Sequence, residues 1–108
     1  MEAKDIKTMS YKEYKKQTNY QPRIAEIVDL EGLRQINRKH YLVHQRYYLM
    51  WFLRQNTKMS LTAIGQMFNR DHSTVIHAIK QHNDLVDVDD DMYKSNIANV
   101  KTFLELKY

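Results

Sequence analysis

The chain has 108 residues, 43% apolar and 28% charged, with two glycines, one proline, no cysteine and a formal net charge of +4. That length supports one domain with a modest core, and the composition favours helix over sheet. The missing cysteines exclude disulfides and thiolate metal sites. No stretch approaches the ~18 apolar residues of a membrane span. The N-terminus lacks a signal peptide's apolar run, so the expected location is the cytoplasm, with no membrane partner.

Residues 1–21 are polar and basic, with Tyr11, Tyr14 and Tyr20 among them. They read as an N-terminal arm, either mobile or a short helix capped by Ser10. Pro22 suits a first helical position and opens the domain proper, residues 22–108. A helix to about Leu30 would bury Ile24, Ile27 and Val28, and Gly32 marks a break. Leu33 to Tyr41 reads as a second helix, with Leu33 and Ile36 inward and Arg34, Arg38 and Lys39 outward. The run Tyr47-Tyr-Leu-Met-Trp-Phe-Leu53 is apolar nearly all round, which marks it as the central core helix.

Ser60 is an N-cap for a helix from Leu61 to Met67. Phe68-Asn69-Arg70 is a turn, with Asn69 the residue suited to a left-handed conformation. Gly65 allows close approach of the two helices around that turn. Asp71 caps the next helix, to about Asn83. On a helical wheel Val75, Ile76, Ala78 and Ile79 face the core, while Ser73, Thr74, His77, Lys80 and Gln81 form a polar stripe. His72 lies off that stripe but projects from the first turn. A last helix spans roughly Met92 to Leu106, behind the acidic stretch ending at Asp91, whose carboxylates suit its dipole.

Two helices joined by a short turn, the second with a polar face, make a helix-turn-helix. Charge supports a polyanionic partner. From Arg34 to Lys80 there are eight basic residues and one acid, Asp71, whereas the following stretch holds Asp84, Asp87, Asp89, Asp90 and Asp91. A segregated basic surface fits nucleic acid. Each piece also has an ordinary structural reading: a Ser or Asp cap is common helix chemistry, and His77 alone is a surface histidine. Only the combination points to DNA. The histidines do not share the spacing and acidic partner of a metal site. There is no phosphate-binding glycine loop, paired carboxylate or cysteine nucleophile, so the expectation is a protein without catalytic residues, metal or cofactor.

The run Ser60-Leu-Thr-Ala-Ile-Gly-Gln-Met-Phe-Asn-Arg-Asp-His-Ser-Thr-Val-Ile-His-Ala78 resembles the signature of the C-terminal DNA-binding domain of DnaA, the bacterial replication initiator. The likeness extends from about Ile24 to Leu106. It implies an all-α helical bundle of the Trp repressor type, built on a helix-turn-helix that reads the DnaA box in duplex DNA from the major groove. Carried over by position, it implies base contacts from Asp71, His72 and Ser73, and a minor-groove contact from Arg46. It implies phosphate or sugar contacts from Thr74 and His77, from Arg38 and Lys39 in a basic loop, and from Leu61 and Thr62 at a helix N-terminus. Arg70 and Lys80 add phosphate contacts on the same basic surface.

Three departures stand out. The turn at Phe68 to Arg70 is one residue shorter than the common form. Ser73 stands where threonine is usual, and Val43-His44-Gln45 where arginine and proline are frequent. Nothing resembles the initiator's ATPase phosphate loop. The expected function is therefore sequence-specific duplex binding that regulates or assists replication initiation or transcription. The expected protein is an excised domain or a small free-standing one, phage or mobile-element encoded, with a monomer favoured. The alternative is a module that binds a replication protein without DNA affinity, for which the arm tyrosines and the acidic loop are the features to watch.

Overall fold

The computed structural model describes residues 11–35 and 38–106. They form five helices: α1 Tyr11–Glu31, α2 His40–Asn56, α3 Leu61–Met67, α4 His72–Asp87 and α5 Asp91–Leu106. The fold is all-α, and α3 and α4 form the helix-turn-helix. No helix among the described residues is long and apolar enough to cross a membrane. Ser10 and Ile36, expected as a cap and a core residue, lie outside the described residues.

Helix α2 is the hub and packs against all four others. It is longer than the apolar run that marks its centre, starting at His40 and ending at Asn56. Leu42, Tyr48, Leu49, Met50 and Leu53 are buried along it. Ile24, Ile27 and Val28 of α1 meet this core, as do Ile64 and Phe68 at α3, Val75 and Ala78 of α4, and Tyr93, Ile97, Val100 and Leu104 of α5.

Two expectations near the N-terminus are corrected. Helix α1 begins at Tyr11, runs across residues 21 and 22, and contains Pro22. The proline forgoes one backbone hydrogen bond. Burial on both sides of it offsets that loss: Tyr20 is in the core and meets Phe52 edge-on at 4.7 Å, followed by Ile24, Ile27 and Val28. The helix expected from Leu33 to Tyr41 does not form. Residues 32–34 are a turn, and residues 38 and 39 lead directly into α2.

One device ends three of the helices. Gly32, Asn69 and Asp89 have φ of 69°, 60° and 55°, the left-handed conformation that closes a helix through the Schellman pattern. The bonds that define it are Leu33 N–H to Val28 O at 2.9 Å, Arg70 N–H to Gly65 O at 2.7 Å and Asp90 N–H to Leu85 O at 3.1 Å. Asp90 then caps the next helix, accepting from Tyr93 N–H at 2.8 Å.

His82 of α4 is 6% exposed. Its Nδ1 lies 2.7 Å from the Tyr93 hydroxyl and its ring stacks on Trp51 at 4.2 Å. Burial pushes its pKa down from 6.5 to about 4. The folded state therefore resists a proton that the unfolded chain accepts. Stability from this group is intact above pH 6.5, falls as pH drops from about 6.5 to about 4, and is flat below. Urea melts should show a loss of up to about 3 kcal/mol across that window. In His82→Asn the slope above pH 5 should shrink, the remainder coming from His44, whose pKa burial and then the His40 charge also lower.

Candidate nucleic-acid interface

The site is built around the turn between α3 and α4. Ser60 caps α3, its hydroxyl accepting from Ala63 N–H at 3.0 Å. Helix α3 ends in the Schellman closure at Asn69, and Phe68 is fully buried beneath it. The chain then folds back over Gly65 so closely that a Cβ there would lie 2.4 Å from the Arg70 carbonyl oxygen and 3.1 Å from that of Asp71. The close approach foreseen at Gly65 is thus made by the turn's own backbone.

Asp71 caps α4 with one oxygen. Its Oδ1 accepts from the Ser73 hydroxyl at 2.8 Å, the Thr74 amide at 3.1 Å and the Thr74 hydroxyl at 3.1 Å. The Ser73 hydroxyl, then the Thr74 groups, hold its carboxyl below the usual carboxylate range. Oδ2 remains open to solvent chemistry, and Asp71, His72 and Ser73 are all exposed. The opening turn of α4 therefore presents a carboxylate oxygen, an imidazole and a hydroxyl to the outside.

The outward face of α4 is rotated from the expected one. His72, Ser73, Ile76, His77 and Lys80 are exposed, whereas Thr74, Ile79 and Gln81 are half-buried. Ile76, expected toward the core, is 50% exposed. The core contacts come from Val75, Ala78 and His82, and that line turns Ile76 away. His77 meets Tyr47 edge-on at 6.1 Å. Lys80 pairs with Asp84 at 2.9 Å, a solvent-exposed pair worth little and readily exchanged for a phosphate.

Three arginines behave differently from surface cations. Arg46, expected in the minor groove, is 7% exposed. It donates through Nε to Leu33 O and through Nη2 to Gln35 O, each at 2.9 Å. Burial, then the nearby Arg70 charge, lowers its pKa. Arg70 donates to Gln35 O at 2.9 Å, Phe68 O at 2.9 Å and Asn69 O at 3.1 Å. Arg34 reaches the end of α3, donating to Gln66 O at 2.8 Å and Met67 O at 2.9 Å. These guanidinium groups satisfy carbonyls that the helix end and the turn leave open. Together they latch residues 33–35 onto the helix-turn-helix.

Arg38 and Lys39 lie exposed just before α2, Thr62 is exposed in the first turn of α3, and Leu61 beside it is half-buried. The latch itself escaped the sequence reading. Its only signal there is the density of arginines, which reads equally well as a phosphate-binding surface. No group of three potential metal ligands among His, Cys, Asp and Glu converges among the described residues.

The sequence of this stretch is similar to that of known proteins. The family model described as the bacterial dnaA protein helix-turn-helix matches residues 26–81. A chromosomal replication initiator protein DnaA from Flavobacterium psychrophilum is 43% identical over 80 residues, covering 73% of this chain and 16% of the relative. That from the Wolbachia of Brugia malayi is 38% identical over 72 residues, 64% of this chain and 16% of its own length. That from Mycoplasma pneumoniae is 35% identical over 65 residues, 60% and 15% respectively. The matched stretch thus spans about one sixth of the curated relatives' length. No solved structure matches the chain.

Proposed function

We propose that this chain, which belongs to the bacterial DnaA helix-turn-helix family, binds a specific duplex DNA word through the N-terminal turn of α4 and so acts in replication initiation or transcription. Family membership supports DNA binding in replication initiation. The observation that carries this reading is the opening of α4, where Asp71, His72 and Ser73 are all exposed. In a major groove Asp71 Oδ2 accepts from a cytosine amino group, His72 donates or accepts at a base edge, and Ser73, whose hydroxyl proton goes to Asp71 Oδ1, accepts there. Thr74, His77, Lys80, Arg38, Lys39 and the first turn of α3 at Leu61 and Thr62 contact the phosphates. They set register rather than sequence. Arg70 adds its charge at the turn while holding it closed, and Arg46 maintains the frame behind the site. No catalytic step is assigned to the chain.

Selection from a random duplex library tests this reading, and enrichment of a single word is the expected result. His72→Ala should then weaken binding to that word by about 1–3 kcal/mol and relax preference at one base pair. Affinity should also fall steeply with salt as phosphate contacts release counterions. An unchanged preference in His72→Ala would remove that residue from the base-reading set. A library that yields no word, beside a protein captured in pull-down, would replace this reading with a protein-interaction module.

A further inference from the structure

We infer that Ile76 reads a thymine methyl group and is a specificity-determining residue of this chain. The inference rests on the DNA reading above and adds to it a contact of a different chemical kind.

Ile76 is a large aliphatic side chain, 50% exposed, on the outward face of α4. Single exposed apolar residues are common on protein surfaces, so exposure alone decides nothing. Position decides it. Successive helical residues are 100° apart, which puts Ile76 about 40° round the helix from His72, one turn further along. Lys80 lies about 40° beyond Ile76, and Ser73 about 60° beyond it. Ile76 therefore sits inside the row formed by the exposed His72, Ser73 and Lys80. Any duplex that meets His72 and Ser73 with its base edges and Lys80 with its backbone covers Ile76 as well.

The chemistry then narrows the partner atom. Ile76 has no donor or acceptor, so it gains nothing from the amino, carbonyl or ring-nitrogen positions of a major groove. The one apolar group displayed there is the C5-methyl of thymine. A polar base edge placed against Ile76 would lose its water without a replacement hydrogen bond. The same side chain thus rewards thymine and disfavours its alternatives.

The test uses the full chain and the word enriched from the random library. Each thymine in it is replaced in turn by deoxyuridine, which removes the methyl and leaves the pairing edge intact. For the wild-type chain, at least one substitution should weaken binding about fourfold, the scale of one buried methyl group. Ile76→Ala should bind the thymine duplex about as weakly as the wild type binds that uridine duplex, and should show no further loss on the same substitution. Its melting temperature should match the wild type, because an exposed side chain contributes little to the core.

Two results overturn the inference while leaving DNA reading standing. One is a word whose thymines all tolerate uridine. The other is a uridine penalty that is fully retained in Ile76→Ala. A library that yields no word overturns this inference and the underlying reading together.

Discussion

Gly65→Ala is expected to lower the unfolding free energy by about 3 kcal/mol or more and to abolish binding to the selected DNA word. The sign is the informative part. In the interior of a helix this change ordinarily stabilises by about 0.5–1 kcal/mol, because alanine loses less backbone freedom on folding. Here the new methyl would lie 2.4 Å from the Arg70 carbonyl oxygen. Its neighbours at 3.1 and 3.2 Å are also backbone atoms of the turn. A flexible side chain would swing aside, but backbone held by the 2.7 Å bond from Arg70 N–H to Gly65 O does not. The turn would have to open, which costs the Schellman closure, the seat of Phe68 and the placement of Asp71. Overpacking of this kind reaches the upper end of its usual range. Equilibrium urea unfolding and a gel-shift titration measure the two effects. A stability change under about 1 kcal/mol would show that the turn yields easily and does not aim α4.

Arg46→Ala is expected to cost about 3 kcal/mol, with DNA affinity lost only as folding is lost. The guanidinium is buried and bonded to Leu33 O and Gln35 O. Its removal leaves two carbonyls without that donor, each at about 1–3 kcal/mol where water cannot replace it. Arg46→Lys should be only a partial rescue, because one ammonium cannot reproduce the planar fork. A groove-reading Arg46 gives the opposite pattern: unchanged urea melts, weaker binding and an altered base preference for both variants. Thermal or urea melts set beside a competition gel shift separate the two roles in one series.

Much of the helix-turn-helix was legible because its signals are local. Ser60 and Asp71 carry side chains that cap, Asn69 tolerates a left-handed backbone, and the structure has all three in those roles. The limits Leu61–Met67 of α3 follow from such signals alone. Residues 32–39 were illegible for the complementary reason. Arg34, Arg38 and Lys39 fit an amphipathic helix on paper, but Gly32 closes α1 and the arginines bind the loop's carbonyls from distant elements. Pro22 misled in the other direction, since a proline sits inside a helix only where packing on both sides offsets its missing bond.

The amino-acid order by itself determined the helical class, the capped helix pair and the chemistry at the opening of α4, because each depends on neighbours within about four residues. Three things were decided only in three dimensions. The line of Val75, Ala78 and His82 set the rotation of α4 and turned Ile76 outward. Burial against Tyr93 and Trp51 settled the charge state of His82. Carbonyls contributed by a remote loop took up Arg46. Each of these depends on which surfaces meet across the bundle, and a guanidinium or an isoleucine looks the same in sequence whichever surface it faces.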